Sequence, residues 1–365
     1  MGTGVRHFAG GPRGARRYGV QMRILFVLAS ALASLAGVCA PAVAQTIPAP
    51  QLFSLTDTKG LVATAVTMDT AEFLGRRAVR LIKQRAEGVD GFVPLPGVDF
   101  QDGTIELDVA VKVTAKPGVG MPGFIGVAFR ARPDASSYDM FYIRPGNARE
   151  DDQAMRNHAA QYCAAPGYDW YVLRRGWPWV YEAHADLRLD AWTHVKIEVA
   201  GRTAKLYLNR NPEPTLVVDG LKGLDVRGAV SLFTFVDQEG YFSNVRVTHA
   251  APRPVTNGSD AAGTWDVKLL TDAGTYDGTL QLRRDGNALS GTWSGALGNG
   301  REVKGTWRDG YVELSFAGEW PNKTMDGKPG AVTTTLAGWF DGAMGKGRSR
   351  IEPRADGRWT ATRRP

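Results

Sequence analysis

Apolar and polar positions alternate with a period of two through most of this chain, and sustained helical periodicity is nearly absent. From Tyr138 to Pro145 the alternation sets Phe141 and Ile143 on one face and Met140, Tyr142 and Arg144 on the other. Val195, Ile197 and Val199 alternate in the same way with His194, Lys196 and Glu198, before Ala200-Gly201 turns the chain into a second strand ending at Asn209. Further strands are predicted over 76–84, 103–113, 123–131, 229–235 and 241–250. The signals Lys116-Pro117-Gly118, Asn211-Pro212 and Glu239-Gly240 punctuate them. The one helix start, Asp69-Thr70-Ala71-Glu72, has an N-cap and acids in its first turn, but Gly75 follows at once. Many strands without helices to cover a sheet predict two sheets packed face to face over 51–250.

The rhythm changes after 251–262, a stretch of small polar residues with Pro252 and Pro254 that reads as a linker. Gly-Thr-Trp occurs at 263–265, 291–293 and 305–307, with related pairs at Gly338-Trp339 and Gly357-Arg358-Trp359. Asp-Gly steps stand at 285–286, 309–310, 326–327, 341–342 and 356–357. Between alternating runs they signal hairpins in which both central residues take positive φ. About eight short strands are predicted over 263–365, closing into a small up-and-down barrel, with the tryptophans plugging its ends and rims. The fold class is therefore all-β, a sandwich followed by a barrel.

The amino terminus changes the reading of charge. Met22-Arg23, an apolar run and Ala42-Val43-Ala44 form a secretory signal, so residues 1–44 are a leader and the mature chain begins near Gln45, secreted or periplasmic. Five arginines (Arg6, Arg13, Arg16, Arg17, Arg23) and no acid precede Gln45. Taking those five from 44 leaves 39 basic against 37 acidic residues. That balance gives no footprint for a nucleic-acid partner. No second long apolar run follows, so no membrane span is expected. Cys39 leaves with the leader and Cys163 stands alone, so burial must hold the mature fold without an intramolecular disulfide.

Candidate chemistry gathers between Tyr138 and Asn209. Arg144 offers a planar fork of donors on the face of Tyr142. Asn157 and Gln161, four apart on an expected strand, would share a face, and amides both donate and accept. Trp170, Trp177 and Trp179 fall in a loop-rich run with Tyr168, Tyr171 and Tyr181. Flat aromatic faces suit the C–H faces of sugar rings. Trp192, opening a regular strand, is expected in the core. Glu182 and His158 are the candidate acid and base, Glu182 being equally suited to a salt bridge with Arg174 or Arg175. His158, His184 and His194 lack metal-ligand spacing, and no cofactor is implied. A structural calcium is the one ion that Asp151-Asp152 would suit. Glu106 and Asp108 share one strand face, a pair that could serve glycoside hydrolysis or simply be solvated.

The strand order over 51–250, with Trp192-x-x-Val195-x-Ile197 followed by Leu206-Tyr207-Leu208-Asn209, resembles the concanavalin A-like, laminin-G-like jelly roll. The segments Ile143-Arg144-Pro145 and Arg156 to Tyr162 make it most similar to the bacterial extracytoplasmic branch that includes 3-keto-disaccharide hydrolases and family-16-glycosidase-like proteins. The turns after residue 263 are similar in rhythm to a calycin or lipocalin barrel. The resemblance implies a glycan-facing concave sheet, lined here by Tyr142, Arg144, Asn157 and Gln161. The glycosidase pattern, however, wants a third carboxylate where Ala110 or Val111 stands. A carbohydrate-binding protein is the leading expectation. A divergent glycoside hydrolase or lyase around Glu182, Arg144 and His158 is the second, and a protein–protein interaction module the third.

Overall fold

A computed structural model describes residues 47–83, 91–114, 122–253, 259–308, 310–321 and 330–365. The expected signal segment, the turn at 116–118, the Asp326-Gly327 step and the middle of the expected linker lie outside them. No helix among the described residues is long and apolar enough to cross a membrane.

The first part is a jelly-roll sandwich. Its early strands are β1 (Gln51–Phe53), β2 (Val66–Phe73), β3 (Arg76–Lys83), β4 (Gly91–Pro94) and β5 (Gly103–Val113). Next come β6 (Ile125–Ala131), β7 (Tyr138–Ile143), β8 (Ala160–Ala165) and β9 (Glu182–Ala183). β10 (Thr193–Ala200), β11 (Thr203–Leu208), β12 (Leu216–Asp219), β13 (Ala229–Thr234) and β14 (Gln238–His249) complete it. One sheet runs β12-β11-β10-β5-β14-β3-β2, with β1 also paired to β14, and the other runs β4-β13-β6-β7-β8-β9. Two short helices, α1 (Gln153–Asn157) and α2 (Trp170–Gly176), interrupt the loops beside β8.

Alternation decides what lies between the sheets. Ile105, Leu107, Val109 and Val111 of β5 join Val127, Phe129, Phe141, Tyr162 and Leu232 in one buried cluster. Register places Val127, Phe141 and Tyr162 side by side, and Gly126, Tyr142 and Gln161 side by side on the opposite face. The six-stranded sheet thus turns one face to the core and the other to the loops.

Several expectations fail for physical reasons. Residues 69–72 lie inside β2, because pairing with β3 over all eight residues outweighs a local N-cap signal. Trp192 sits outside the main core. It is half-buried on the outer face of the eight-stranded sheet, under the Arg76 guanidinium at 4.5 Å and edge-on to Phe73. Asp108 and Glu106 also point to that outer face. Asp108 accepts from Arg76 (2.7 Å) and Asn244 (3.0 Å) and meets His194 Nδ1 at 3.0 Å. Burial pulls its pKa up, but those bonds and the Arg76 charge hold it below the ordinary value. It is a strut between strands.

The second part closes into an eight-stranded barrel. Its strands are β15 (Gly263–Thr271), β16 (Gly274–Asp285), β17 (Ala288–Gly295), β18 (Gly298–Arg308), β19 (Tyr311–Glu319), β20 (Ala331–Asp341), β21 (Met344–Glu352) and β22 (Ala355–Arg363). β22 pairs back to β15. Trp265, Trp293 and Trp359 fill the interior, each at most 1% exposed. In the hairpins after Asp285 and Asp341 the aspartate ends the strand, and only Gly286 (φ 57°) and Gly342 (φ 59°) take the left-handed conformation. Asp356-Gly357 lies inside β22 and makes no turn.

Trp339 departs from the plug expectation. With Tyr311 and Ala337 it points out of the barrel into the sandwich's buried cluster. The Arg202 guanidinium covers its ring at 3.3 Å. Because the interior is otherwise the barrel's own, we propose that the boundary near 251–262 separates two folding units. Expressed alone, residues 259–365 are expected to unfold cooperatively in urea but to self-associate through the bared Tyr311 and Trp339. Tryptophan emission with size-exclusion chromatography checks this. A gradual, non-cooperative profile would mean that the barrel borrows its core.

Candidate functional site

The loop-facing side of the six-stranded sheet collects the polar residues of interest. Tyr142 and Arg144 lie at the end of β7, Gln161 on β8 opposite Tyr142, and Glu182 on β9 opposite Gln161. All four are at most 5% exposed. Arg144 donates to the His158 carbonyl (2.7 Å), to the Tyr142 hydroxyl (2.8 Å) and, at 3.4 Å from both terminal nitrogens, to Gln161 Oε1. Gln161 Nε2 donates to the carbonyls of Tyr162 (2.9 Å) and Tyr181 (3.0 Å), so its orientation is fixed.

The helix α2 brings up the second cation. Four residues along a helix return a side chain to the same face, so Trp170 and Arg174 lie together, guanidinium over ring at 4.7 Å. Arg174 grips Glu182 with two nitrogens at 2.8–3.2 Å. His158 Nδ1 lies 2.8 Å from the same carboxylate, within ion-pair range but without hydrogen-bond alignment. Burial lowers the His158 pKa, while Glu182 pulls it the other way less strongly, so the ring is neutral at pH 7. Trp179 stacks parallel on it, ring centroids 5.7 Å apart. That indole is 58% exposed on a residue with φ of 66°, a backbone state that a bulky side chain rarely takes and that other contacts must hold.

Other elements keep this arrangement in place. Gln238 accepts from the Phe124 amide at 2.7 Å and donates to Thr234, fixing the approach to β6. Phe124 then sits 5.9 Å from the Tyr142 ring and 5.4 Å from the Arg144 guanidinium. From the barrel, Arg350 donates to the Gly176 carbonyl at the end of α2 (2.9 Å), and Arg308 donates to the Pro166 carbonyl (3.4 Å). The barrel therefore braces the segment that carries Trp170 and Arg174.

Tyr142, Arg144, Gln161, Glu182, His158, Trp170 and Trp179 are thus brought to one place. Two candidates are not. Asn157 ends α1 rather than sharing a strand with Gln161, and its Oδ1 accepts from Gln153 at 2.8 Å. Trp177 is 6% exposed within the sandwich cluster, because its position after the last turn of α2 points it inward. Asp152 caps α1 by accepting from the Ala154 amide. No group of three or more His, Cys, Asp or Glu side chains suited to a metal ion forms among the described residues. Sequence reading missed Phe124 and the helical pairing of Trp170 with Arg174. The i, i+4 spacing was the available signal, masked by treating 168–181 as loop.

A separate concavity of about 290 Å³ opens at the seam between sandwich and barrel, lined in part by Arg202, Thr203, Trp339 and Lys346. It lies apart from the cluster just described.

No family model matches the chain, and no curated protein matches it. Among solved structures the chain is similar to the carbohydrate-binding module CBM66 from Bacillus subtilis, at 16% identity, 51% of this chain and 96% of that one, with TM-score 0.34. It is also similar to domain 4 of AbnA, a GH43 extracellular arabinanase from Geobacillus stearothermophilus, solved in complex with arabinotriose. That match has 14% identity, covers 55% of this chain and 89% of that one, and has TM-score 0.34. The exoplasmic/lumenal domain of VIP36 is similar at 12% identity, over 52% and 86% of the two chains, with TM-score 0.35.

Proposed function

We propose that this is an exported saccharide-binding protein whose ligand lies on the loop-facing side of the six-stranded sheet, between Trp170 and Trp179. The observation that carries the reading is the exposed Trp179, held in a strained backbone state and stacked on His158 beside a floor of Tyr142, Arg144, Gln161 and Glu182. An indole with one face backed by an imidazole and the rest in water is a platform for the C–H face of a sugar ring. The floor supplies planar donors and acceptors for hydroxyls.

Binding is favoured over hydrolysis for a specific reason. Glu182 is engaged by both nitrogens of the Arg174 fork, so its oxygens are already taken up by fixed donors rather than left free to act on a substrate. Glu106 and Asp108, the other paired carboxylates, lie on the opposite sheet's outer face, with Asp108 bonded as a strut.

Trp179→Ala is expected to weaken saccharide binding about tenfold, roughly 1–1.5 kcal/mol, with little change in stability because the ring is largely in water. The test is a glycan array on the full chain, followed by titration calorimetry on any hit and an assay for reducing-end release. Unchanged affinity in Trp179→Ala would remove the platform from the site. Reducing ends released by the wild-type protein would replace the binding reading with catalysis.

A further inference from the structure

We propose that the saccharide taken by this site carries a carboxylate, as a uronic-acid-bearing glycan does, and that the Arg144 fork receives it. This inference rests on the saccharide reading above and deepens it.

The site holds two guanidinium groups, the buried Arg144 and the partly exposed Arg174, against one buried carboxylate, Glu182. Arg174 already occupies that carboxylate with two donors. No carboxylate among the described residues lies within 4.0 Å of Arg144, and every acceptor it has is neutral. Two of its four contacts, both to Gln161, are stretched to 3.4 Å and are the ones a better acceptor would displace. His158 adds no negative charge, an imidazole being either neutral or cationic.

A buried cation without a counter-ion is costly, and another buried guanidinium of the sandwich shows the usual remedy. Arg130, 1% exposed, is paired with Asp102 at 2.8 Å. Arg144 is instead ringed by Phe124, Tyr142 and Trp170, all within 6 Å of its guanidinium carbon. Those rings exclude water and attract the cation weakly, but they do not neutralise it. Desolvation accordingly pulls the Arg144 pKa down. The group that would complete the site is a planar anion matched to a guanidinium fork, and a carboxylate has that shape. Trp170, which lies over Arg144, is itself 42% exposed, so the way in passes its ring. A neutral sugar would leave the excess positive charge as it is.

The test uses matched polymers on the full chain at about 0.15 M salt, where loosely attracted polyanions are screened. Polygalacturonate and alginate are compared with their carboxyl-reduced forms, and dextran sulfate with dextran. At least one carboxylated polymer is expected to bind about tenfold or more tightly than its reduced form, and Arg144→Gln to abolish that preference. Should Arg144→Gln fail to fold, Trp170→Ala, altered at an exposed ring, is expected to weaken the carboxylated polymer by a similar factor. Equal binding of reduced and carboxylated forms would overturn the inference and leave the saccharide reading standing. Dextran sulfate bound as tightly as the uronates would overturn the carboxylate assignment. If no polymer binds, acidic or neutral, both readings fall together.

Discussion

Asp102→Ala is expected to lower the stability of the sandwich by about 3–5 kcal/mol, more than any single change at the candidate site. Asp102 is 2% exposed. Its Oδ1 accepts from Arg130 (2.8 Å) and from the Gly201 amide (2.9 Å), and its Oδ2 accepts from the Arg253 amide (2.6 Å). Arg130 also donates to the carbonyls of Gly201 (2.7 Å) and Gln101 (2.9 Å), from a backbone position with φ of 51°. One carboxylate therefore joins the start of β5, the β10–β11 turn and the chain leaving the sandwich. Its removal strands a buried guanidinium and two amides at once. Asp102→Asn, which keeps one oxygen acceptor, should recover part of the loss. Urea titration of both variants checks this, and a loss below about 1 kcal/mol in the alanine variant would refute the account.

The second large effect depends on pH. Lys222 is 3% exposed at the seam between the two parts, with its ammonium 3.9 Å from the Tyr311 ring centre and 5.2 Å from those of Tyr168 and Tyr181. Its Nζ donates to the Tyr311 hydroxyl. Burial lowers its pKa from 10.5 to about 7, with the Glu313 charge opposing the change and Arg308 adding to it. Below pH 7 the amine is protonated in both folded and unfolded chains, and the cost of burying the charge is fully present. Between about 7 and 10.5 the unfolded chain keeps a proton that the folded one has released, so stability rises with pH through that window. The full change would approach roughly 4–5 kcal/mol. Above about pH 10 the neighbouring tyrosines act in the opposite sense, because burial holds Tyr162, Tyr168, Tyr181 and Tyr311 neutral when their unfolded counterparts ionise. Wild-type protein should be markedly less stable at pH 6 than at pH 9, and Lys222→Met should gain most at pH 6 and flatten the difference. A variant whose profile parallels the wild type would show that Lys222 is not the cause.

Alternation along β5, β7, β10 and β11 carried the fold, because each strand buries one face and the pattern of two survives in the residue types. The eight barrel strands were legible for the same reason, helped by Gly286 and Gly342, where turn geometry needs a left-handed residue. Arg144, Gln161 and Tyr142 could be brought together from sequence because strand parity alone decides their face. Asn157 could not, since a single turn of helix ahead of β8 resets the parity. Trp177 and Trp192 were misplaced because an aromatic side chain announces burial without saying against what. The Arg174–Glu182 pair was one of the alternatives open in the sequence. The stacking of Arg174 on Trp170 and the place of Phe124, however, depend on the seating of a seven-residue helix and of a loop tied by Gln238, which are long-range facts. Lys222 gave no local sign at all, since its cage comes from residues up to 89 positions away.

The placement of β14 has a consequence for the order of events during synthesis. It is the last strand of the sandwich in the chain, yet it lies between β5 and β3 and also pairs with β1. Until residues 238–249 emerge, the β2–β3 hairpin has no seat, and β4 waits in the same way for β13. A growing chain stalled before that point would display two half-sheets with open apolar edges, the kind of surface that pairs with its neighbours. The barrel, by contrast, joins strand to strand in sequence and needs only its first and last to meet. Slow, non-local pairing should therefore set the pace of folding in the sandwich, and the stretch that determines the yield of intact protein lies at its far end.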